Sequence, residues 1–209
     1  RDAMTATHPS PAPSSSSAHA LRRGVARLGL CAWALCGPTL AHAADAPAAP
    51  PAPLAPIASL DLPRYMGTWY EVAKFPNRFQ GQCAGPASAD YRLQPGGTVQ
   101  VVNRCPLADG KVDEAVGEAR RVGPEGSPKL EVRFAPAWLA WLPFVWGNYW
   151  VVDLDAGYQL AVVSEPKREF LWVLSRRPAV EAAVWDALMA RLRVQGFDLS
   201  RLQRADTRP

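Results

Sequence analysis

Histidine is nearly missing from this 209-residue chain, and its three copies lie within the first 42 residues, at His8, His19 and His42. A mature protein that begins after them has no imidazole, which excludes histidine triads, histidine-ligated metals and the usual general base near neutral pH. Aromatic residues are also scarce in the first 60 residues, which hold nine of the 21 prolines. The composition, 48% hydrophobic overall, therefore indicates a Pro-rich leading region followed by one globular domain.

A long hydrophobic run is absent as well. Three arginines between positions 22 and 27 precede an apolar run over 28–36 and an Ala-x-Ala sequence that ends at Ala43. This order is typical of a secretory signal peptide, whereas the alternative, a transmembrane anchor, needs about 18 apolar residues. We therefore interpret residues 1–43 as an upstream extension and signal peptide, and expect a periplasmic protein cleaved near Ala43.

The leader also lacks a convincing lipidation signal. Leu30 precedes Cys31 and Leu35 precedes Cys36, where a lipoprotein signal requires a small residue. The sequence thus predicts a soluble product without a lipid anchor, and association with the outer membrane stays open as an alternative.

Neither sign of charge is in strong excess. Residues 1–43 hold four of the 23 basic and one of the 19 acidic residues, so the remainder has 19 and 18, a net charge of +1. The sequence pI near 9.0 therefore gives no indication of a nucleic-acid partner.

Two cysteines follow the leader, Cys83 and Cys105. An even pair in an exported chain predicts a disulfide, because the compartment is oxidising. Closing a loop of this length would stabilise the fold by about 3 kcal/mol in the chain-entropy model. The alternative is a pair of free, buried thiols.

The remainder divides into a Pro- and Ala-rich linker over 44–59, a domain over 60–204 and a tail over 205–209. The linker composition predicts a solvated tether of polyproline character. Within the domain, segments rich in β-branched and aromatic residues alternate with turn signals, which predicts antiparallel strands. The eight predicted strands are 67–75, 87–93, 98–105, 112–122, 129–134, 149–154, 159–164 and 169–175.

Eight strands can close an up-and-down barrel around side chains or one small ligand, and closure removes exposed strand edges. Between Pro178 and Gly196 the apolar residues, including Val184 and Leu188, recur at three- and four-residue spacing, which predicts an amphipathic helix. We expect this helix to pack on the outside of the barrel, with a short strand over 198–203 after it. The helix and the polar tail favour a soluble barrel over the alternative, an outer-membrane barrel.

Three motifs resemble the signatures of the lipocalin family. They are Gly67-x-Trp69 within 62–73, Tyr149 and Asp153 within 148–155, and Arg176 within 171–178. The resemblance covers about residues 60–204. The Trp-Tyr-Glu continuation of the first motif, with Asn103 in the third strand, is similar to the branch of bacterial (Blc-type) lipocalins and apolipoprotein D. It implies an all-β, eight-stranded lipocalin barrel.

The resemblance also implies a structural group at the closed end of the barrel. There Trp69, two residues after Gly67, would pack beneath the guanidinium of Arg176. Such a pair gains cation–π attraction of about 0.5–2 kcal/mol.

Alternation along the first strand orients its other side chains. If Trp69 points inward, Glu71 and Ala73 do so too, and Val72 and Lys74 point outward. A carboxylate inside an apolar barrel needs a partner, for which the candidates are Arg176, Asn103 and water. The alternative is that Glu71 contacts the head group of a ligand.

The same alternation predicts a set of ligand-lining residues. They are Glu71, Ala73, Tyr91, Asn103, Val132, Phe134, Tyr149 and Trp172. Each is equally consistent with core packing, because aromatic side chains fill small barrels regardless of ligand.

Residues 135–147 form an apolar, uncharged segment. It contains Trp138, Trp141, Phe144 and Trp146. The resemblance implies that this connection lies at the open mouth of the barrel. There it would act as a lid over the cavity, line the entrance, touch a membrane surface or form a homodimer contact.

The sequence predicts a binding protein and not an enzyme, since no catalytic motif surrounds Ser164, Ser175, Lys167 or Glu71. We expect no cofactor, no metal and no catalytic residue. The resemblance implies binding and transport of a fatty acid or lysophospholipid in the bacterial cell envelope, in membrane lipid maintenance. The alternatives are a lipid-acting enzyme without histidine, and a dimerising or partner-binding module that uses the Trp-rich segment.

Overall fold

A computed structural model describes residues 52–205 of the chain. The extension and signal peptide predicted over 1–43 lie outside these residues and remain predictions. In chain order the helices and strands are α1 Leu62–Tyr65, β1 Gly67–Lys74, β2 Ser88–Leu93, β3 Val99–Pro106, β4 Val112–Arg121, β5 Lys129–Arg133, β6 Gly147–Leu154, β7 Leu160–Ser164, β8 Leu171–Ser175, α2 Ala182–Val194 and β9 Gln203–Arg204.

Strands β1 to β8 form a closed barrel. Each strand pairs antiparallel with the next, and β8 pairs with β1. This confirms the predicted barrel, and the observed strand ends lie within two residues of the predicted ones. Strand β1 starts at the closed end, where Leu62 and Tyr65 of α1 pack among the inward-facing residues. The β1–β2, β3–β4, β5–β6 and β7–β8 connections therefore lie at the open end.

The final strand is later and shorter than predicted. A 3-10 turn occupies Leu199–Arg201, because the side chain of Asp198 accepts a 3.1 Å hydrogen bond from the backbone N–H of Ser200. Strand β9 follows this turn and pairs with the open-end half of β1.

A bulge in β1 reverses the alternation on which the ligand-lining prediction rested. The register with β8 shifts between Glu71 and Ala73, which makes Val72 the extra residue. An extra residue moves every later side chain to the opposite face of the strand. Val72 and Ala73 both pack with the residues of α2, and Lys74 points into the barrel. The predicted orientations of Ala73 and Lys74 are therefore wrong.

A second bulge, between Val151 and Asp153 in β6, turns Asp153 outward. Its carboxylate accepts two hydrogen bonds from Arg191 of α2, from Nε at 2.7 Å and from Nη2 at 2.9 Å. Both bulges therefore shape the outer wall to receive the helix.

Helix α2 packs on the outside of the barrel as predicted, but its buried face is rotated. The buried residues are Trp185, Leu188, Met189 and Leu192, whereas Val184 is exposed. Burying an indole removes more apolar surface from water than burying a valine, so this orientation gains more hydrophobic free energy. The helix cluster is separate from the cluster inside the barrel.

Residues 52–59 also pack on the barrel, which corrects the described part of the solvated linker predicted over 44–59. Leu54 is buried in the helix cluster, and the Ile57 N–H donates to the Val151 carbonyl at 2.9 Å. The apolar side chains of Leu54 and Ile57 make this contact. The prediction of a solvated tether considered the proline content and not these two side chains.

Cys83 and Cys105 form a disulfide, with Sγ atoms 2.05 Å apart, which confirms that prediction. The bond joins the β1–β2 connection to the end of β3, both at the open end. Within residues 52–205, neither helix is long and apolar enough to cross a membrane.

Candidate ligand-binding site

The closed end is sealed by Trp69 and Arg176. The guanidinium carbon lies 3.8 Å from the centroid of the fully buried indole. The same guanidinium donates to the carbonyls of Met66, at 2.7 Å, and Thr68, at 2.8 Å. Gly67 has φ +95°, and a Cβ there would lie 3.3 Å from Nη1 of Arg176. Glycine is required because a side chain would be both strained and crowded.

A layer of three tyrosines lies above this plug. The hydroxyl of Tyr149 is 2.9 Å from that of Tyr65 and 3.0 Å from that of Tyr91. Burial raises the pKa of Tyr91 to about 12, and it raises the pKa values of Tyr65 and Tyr149 well above the ordinary phenol value. The layer is therefore neutral and hydrogen-bonded at physiological pH.

A cavity of about 20 Å³ lies among these residues. It is lined by Leu62, Tyr65, Met66, Tyr91, Val99, Val101, Ala119, Leu130 and Tyr149. This volume is about that of one water molecule, so the cavity cannot hold an acyl chain. Any larger ligand has to lie above the tyrosine layer, towards the open end.

Several inward positions towards the open end carry small side chains. Cross-strand register puts Ala89, Ala115, Gly117 and Gly147 on the inner face of the barrel. Ala115 and Gly147 are nevertheless exposed, so solvent reaches the inner wall through the mouth. We call this half of the barrel the upper lumen.

Phe134 and Asn103 also face the upper lumen. Phe134 is 43% exposed, and its ring lies so close to Gly117 that a Cβ there would be 2.7 Å from it. Asn103 is half-buried between Ala89 and Ala115 in the register of β2, β3 and β4. Val132 pairs with Gly147 on the same face.

A polar corner lies where β1 and β8 reach the mouth. The Oε1 atom of Glu71 is 2.9 Å from Nζ of Lys74, and Oε2 accepts a 2.6 Å hydrogen bond from Nε2 of Gln80. Gln80 Oε1 in turn accepts from Nε1 of Trp172 at 3.1 Å. Glu71 therefore has protein partners, but they are not the ones predicted.

Arg176 and Asn103 do not bind Glu71 in this structure. The guanidinium of Arg176 donates instead to backbone carbonyls at the closed end of the barrel. Lys74 and Gln80 take that role because the bulge turns Lys74 inward and the β1–β2 connection places Gln80 over the mouth. A bulge and a loop side chain have no periodic signal in the sequence, so strand alternation missed both residues.

The apolar segment between β5 and β6 lies at the open end and forms two 3-10 turns, Ala137–Leu139 and Pro143–Val145. Trp138, Trp141 and Phe144 are 74%, 77% and 79% exposed. Of the alternatives for this segment, a lid folded over the cavity does not agree with these exposed side chains.

Trp146 differs from its neighbours and does not belong to the exposed group. Arg120 and Arg133 lie over its ring, at 4.0 and 5.2 Å from the centroid, and its Nε1 donates to the Ala140 carbonyl at 2.8 Å. Trp146 therefore anchors the segment to the outer wall.

The described residues contain no group of three His, Cys, Asp or Glu side chains arranged to hold a metal ion. The site is a half-open lumen with the neutral tyrosine layer at its base and one polar corner at the mouth.

Comparisons with known proteins match the same part of the chain. A family model described as a lipocalin-like domain matches residues 60–207. Temperature-induced lipocalin-1 of Arabidopsis thaliana is 38% identical over 155 residues, 72% of this chain and 82% of that protein. Outer membrane lipoprotein Blc of Escherichia coli K12 is 35% identical over 144 residues, 68% and 77% of the two chains. Mouse apolipoprotein D is 28% identical over 155 residues, 71% and 77%.

Solved structures share the fold at lower identity. Insecticyanin of the tobacco hornworm superposes with a TM-score of 0.57 at 19% identity, over 73% of this chain and 84% of that one. The allergen Per a 4 from cockroaches gives a TM-score of 0.54 at 19% identity, over 70% and 88%.

Proposed function

The chain belongs to the lipocalin family, in its Blc and apolipoprotein D branch, whose members bind small hydrophobic ligands, and we propose that it carries a fatty acid or lysophospholipid. The acyl chain would lie in the upper lumen, with its head group at the mouth. The observation that carries this proposal is the set of small inward residues above the tyrosine layer, because their size leaves the inner wall open to a ligand.

The energetics suit a carrier. Burying about 15 methylenes at roughly 0.8 kcal/mol each gives about 12 kcal/mol. Association and ordering cost at least about 4 kcal/mol, which leaves at most about 8 kcal/mol, so the affinity from the acyl chain alone is micromolar or weaker. Such an affinity allows both uptake and release of the ligand, as a carrier requires.

The proposed location is the periplasm of a bacterial cell, with a role in maintaining envelope lipids. The disulfide supports an oxidising compartment. The relative from Escherichia coli is named an outer membrane lipoprotein, which supports a location in the envelope.

Two neighbouring positions on β4 test where the ligand lies. Ala115→Phe adds a ring inside the upper lumen, and Val116→Phe adds the same ring on the outer face, where Val116 is exposed. We expect Ala115→Phe to weaken binding of a fluorescent fatty acid at least about tenfold, and Val116→Phe to leave it within about twofold. The measurement is a fluorescence titration of delipidated protein.

The same titration of wild-type protein also follows quenching of Trp172 at the mouth. Trp172→Ala is expected to weaken the quenching signal. Unchanged affinity in Ala115→Phe would contradict an acyl chain in the lumen, and no saturable signal in the wild-type protein would contradict the carrier function.

A second candidate function is contact with a membrane surface through Trp138, Trp141 and Phe144. It is favoured by their exposure, since three large apolar side chains in an ordered segment cost free energy in water. Tryptophan and phenylalanine are suited to the interface between head groups and acyl chains. The contact would bring the mouth of the barrel to the lipid from which a ligand is taken.

Flotation with phospholipid vesicles tests this contact. We expect the triple variant with alanine at these three positions to lose vesicle binding. Leu93→Ala with Val122→Ala removes two exposed apolar residues beside closed-end turns and serves as the control. A wild-type protein that does not float but sediments as a dimer would overturn the membrane contact and favour the homodimer.

A further inference from the structure

The polar corner at the mouth has hydrogen-bonding capacity that the protein itself does not use. Both carboxylate oxygens of Glu71 have partners, Oε1 in Lys74 and Oε2 in Gln80. Gln80 Oε1 already accepts from Trp172 and from Asn77, at 3.1 and 2.8 Å. The acceptors of this cluster are therefore occupied.

The donors are not all occupied. An ammonium group has three N–H donors, and the contacts of Lys74 with the described residues account for one of them, to Glu71. One N–H of Gln80 Nε2 is left over by the same count. A group that completes this corner must supply acceptors, and a negatively charged oxygen gives the strongest hydrogen bond to an ammonium.

We propose that Lys74 binds the anionic oxygen of the ligand's head group, and so selects amphiphiles that carry a carboxylate or phosphate. This inference rests on the proposed function, because it assigns the head group of the molecule whose acyl chain occupies the lumen. The bulge at Val72 makes the contact feasible, since without it Lys74 would point at the outer wall.

Glu71 restrains this site, because its carboxylate lies 2.9 Å from the same ammonium. A ligand anion competes with Glu71 for the charge of Lys74. Neutralising Glu71 should therefore strengthen the preference for an anion, whereas removing the ammonium should abolish it. The two changes have opposite signs, which a purely structural role for the ion pair does not predict.

The test compares dodecanoic acid, dodecyl phosphate and methyl dodecanoate, which share one acyl length. The measured quantity is the ratio of each anion's affinity to that of the ester, from tryptophan fluorescence titrations. We expect Glu71→Gln to raise the ratio about tenfold, and Glu71→Gln with Lys74→Met to lower it to about one. Lys111→Met, an exposed lysine at the open end, should leave the ratio unchanged.

The double variant contains no buried unpaired charge, and its ester affinity reports whether the lumen is intact. A second readout uses the NMR spectrum of wild-type protein labelled at lysine Cε, so the binding experiment needs no variant. The chain has four lysines, so the spectrum has few lysine signals. Dodecanoic acid should shift the Lys74 resonance, assigned with Lys74→Arg, and the ester should not.

Ester and anions bound equally, with an unchanged ratio in both variants and no selective shift, would overturn the role of Lys74 and leave the carrier function standing. No binding of any of the three ligands would overturn the carrier function itself. A ratio above one for the acid alone, or for the phosphate alone, supports Lys74 and identifies which head group it accepts.

Discussion

At the scale of single residues, Arg176 carries several roles at once. Its guanidinium stacks on Trp69, donates to backbone carbonyls before and after Gly67, and closes the floor of the barrel. The planar fork of arginine reaches these acceptors together, which a lysine ammonium cannot do.

Arg176→Ala is expected to lower the free energy of unfolding by about 3 kcal/mol, because it removes the charge-assisted hydrogen bonds to the Met66 and Thr68 carbonyls and the stacking on the buried indole. Arg177→Ala, its exposed neighbour, should change it by less than about 0.5 kcal/mol. Urea denaturation followed by tryptophan fluorescence measures both. A loss below about 1 kcal/mol for Arg176→Ala would contradict a stabilising floor.

At the scale of elements, the two bulges decide how barrel and helix meet. Strict alternation would send Ala73 and Asp153 into the lumen, but each bulge turns its residue to α2. The cluster between wall and helix then includes Leu188 and Leu192, which are fully buried. Helix α2 therefore shares a hydrophobic core with the outer wall of the barrel.

Leu188→Ala is expected to lower the free energy of unfolding by about 3 kcal/mol, since it leaves a cavity between α2 and the wall. Val184→Ala, on the exposed face of the same helix, should change it by less than about 0.5 kcal/mol. The comparison uses urea denaturation of both variants. Equal losses of unfolding free energy in the two variants would contradict the packing of the Leu188 face of α2 on the barrel.

At the scale of the whole molecule, the tyrosine layer links stability to pH. Folded Tyr91 has a pKa of about 12, above the ordinary value near 10. Between these values the unfolded chain has lost phenolic protons that the folded chain retains, so stability is full below pH 10 and falls as pH rises towards 12. Tyr91 alone accounts for about 2–3 kcal/mol over this interval.

Tyr91→Phe should therefore reduce the slope of unfolding free energy against pH between 10 and 11.5, measured by urea denaturation at a series of pH values. The matched control is Tyr70→Phe, whose side chain lies outside the tyrosine layer and is exposed. Identical slopes in Tyr91→Phe and wild type would contradict the buried layer.

The sequence by itself determined the barrel, its eight strands and the disulfide, because local composition, turn residues and the even pair of cysteines carry that information, and the resemblance to the lipocalin signatures identified Gly67, Trp69 and Arg176. Strand alternation also predicted inward residues such as Tyr91 and Asn103, and only the tertiary structure decided where that alternation fails. A single extra residue at Val72 exchanges the faces of Ala73 and Lys74, and the loop residue Gln80 reaches Glu71 across the mouth. Register between strands is a long-range property, and alternation read along one strand does not contain it.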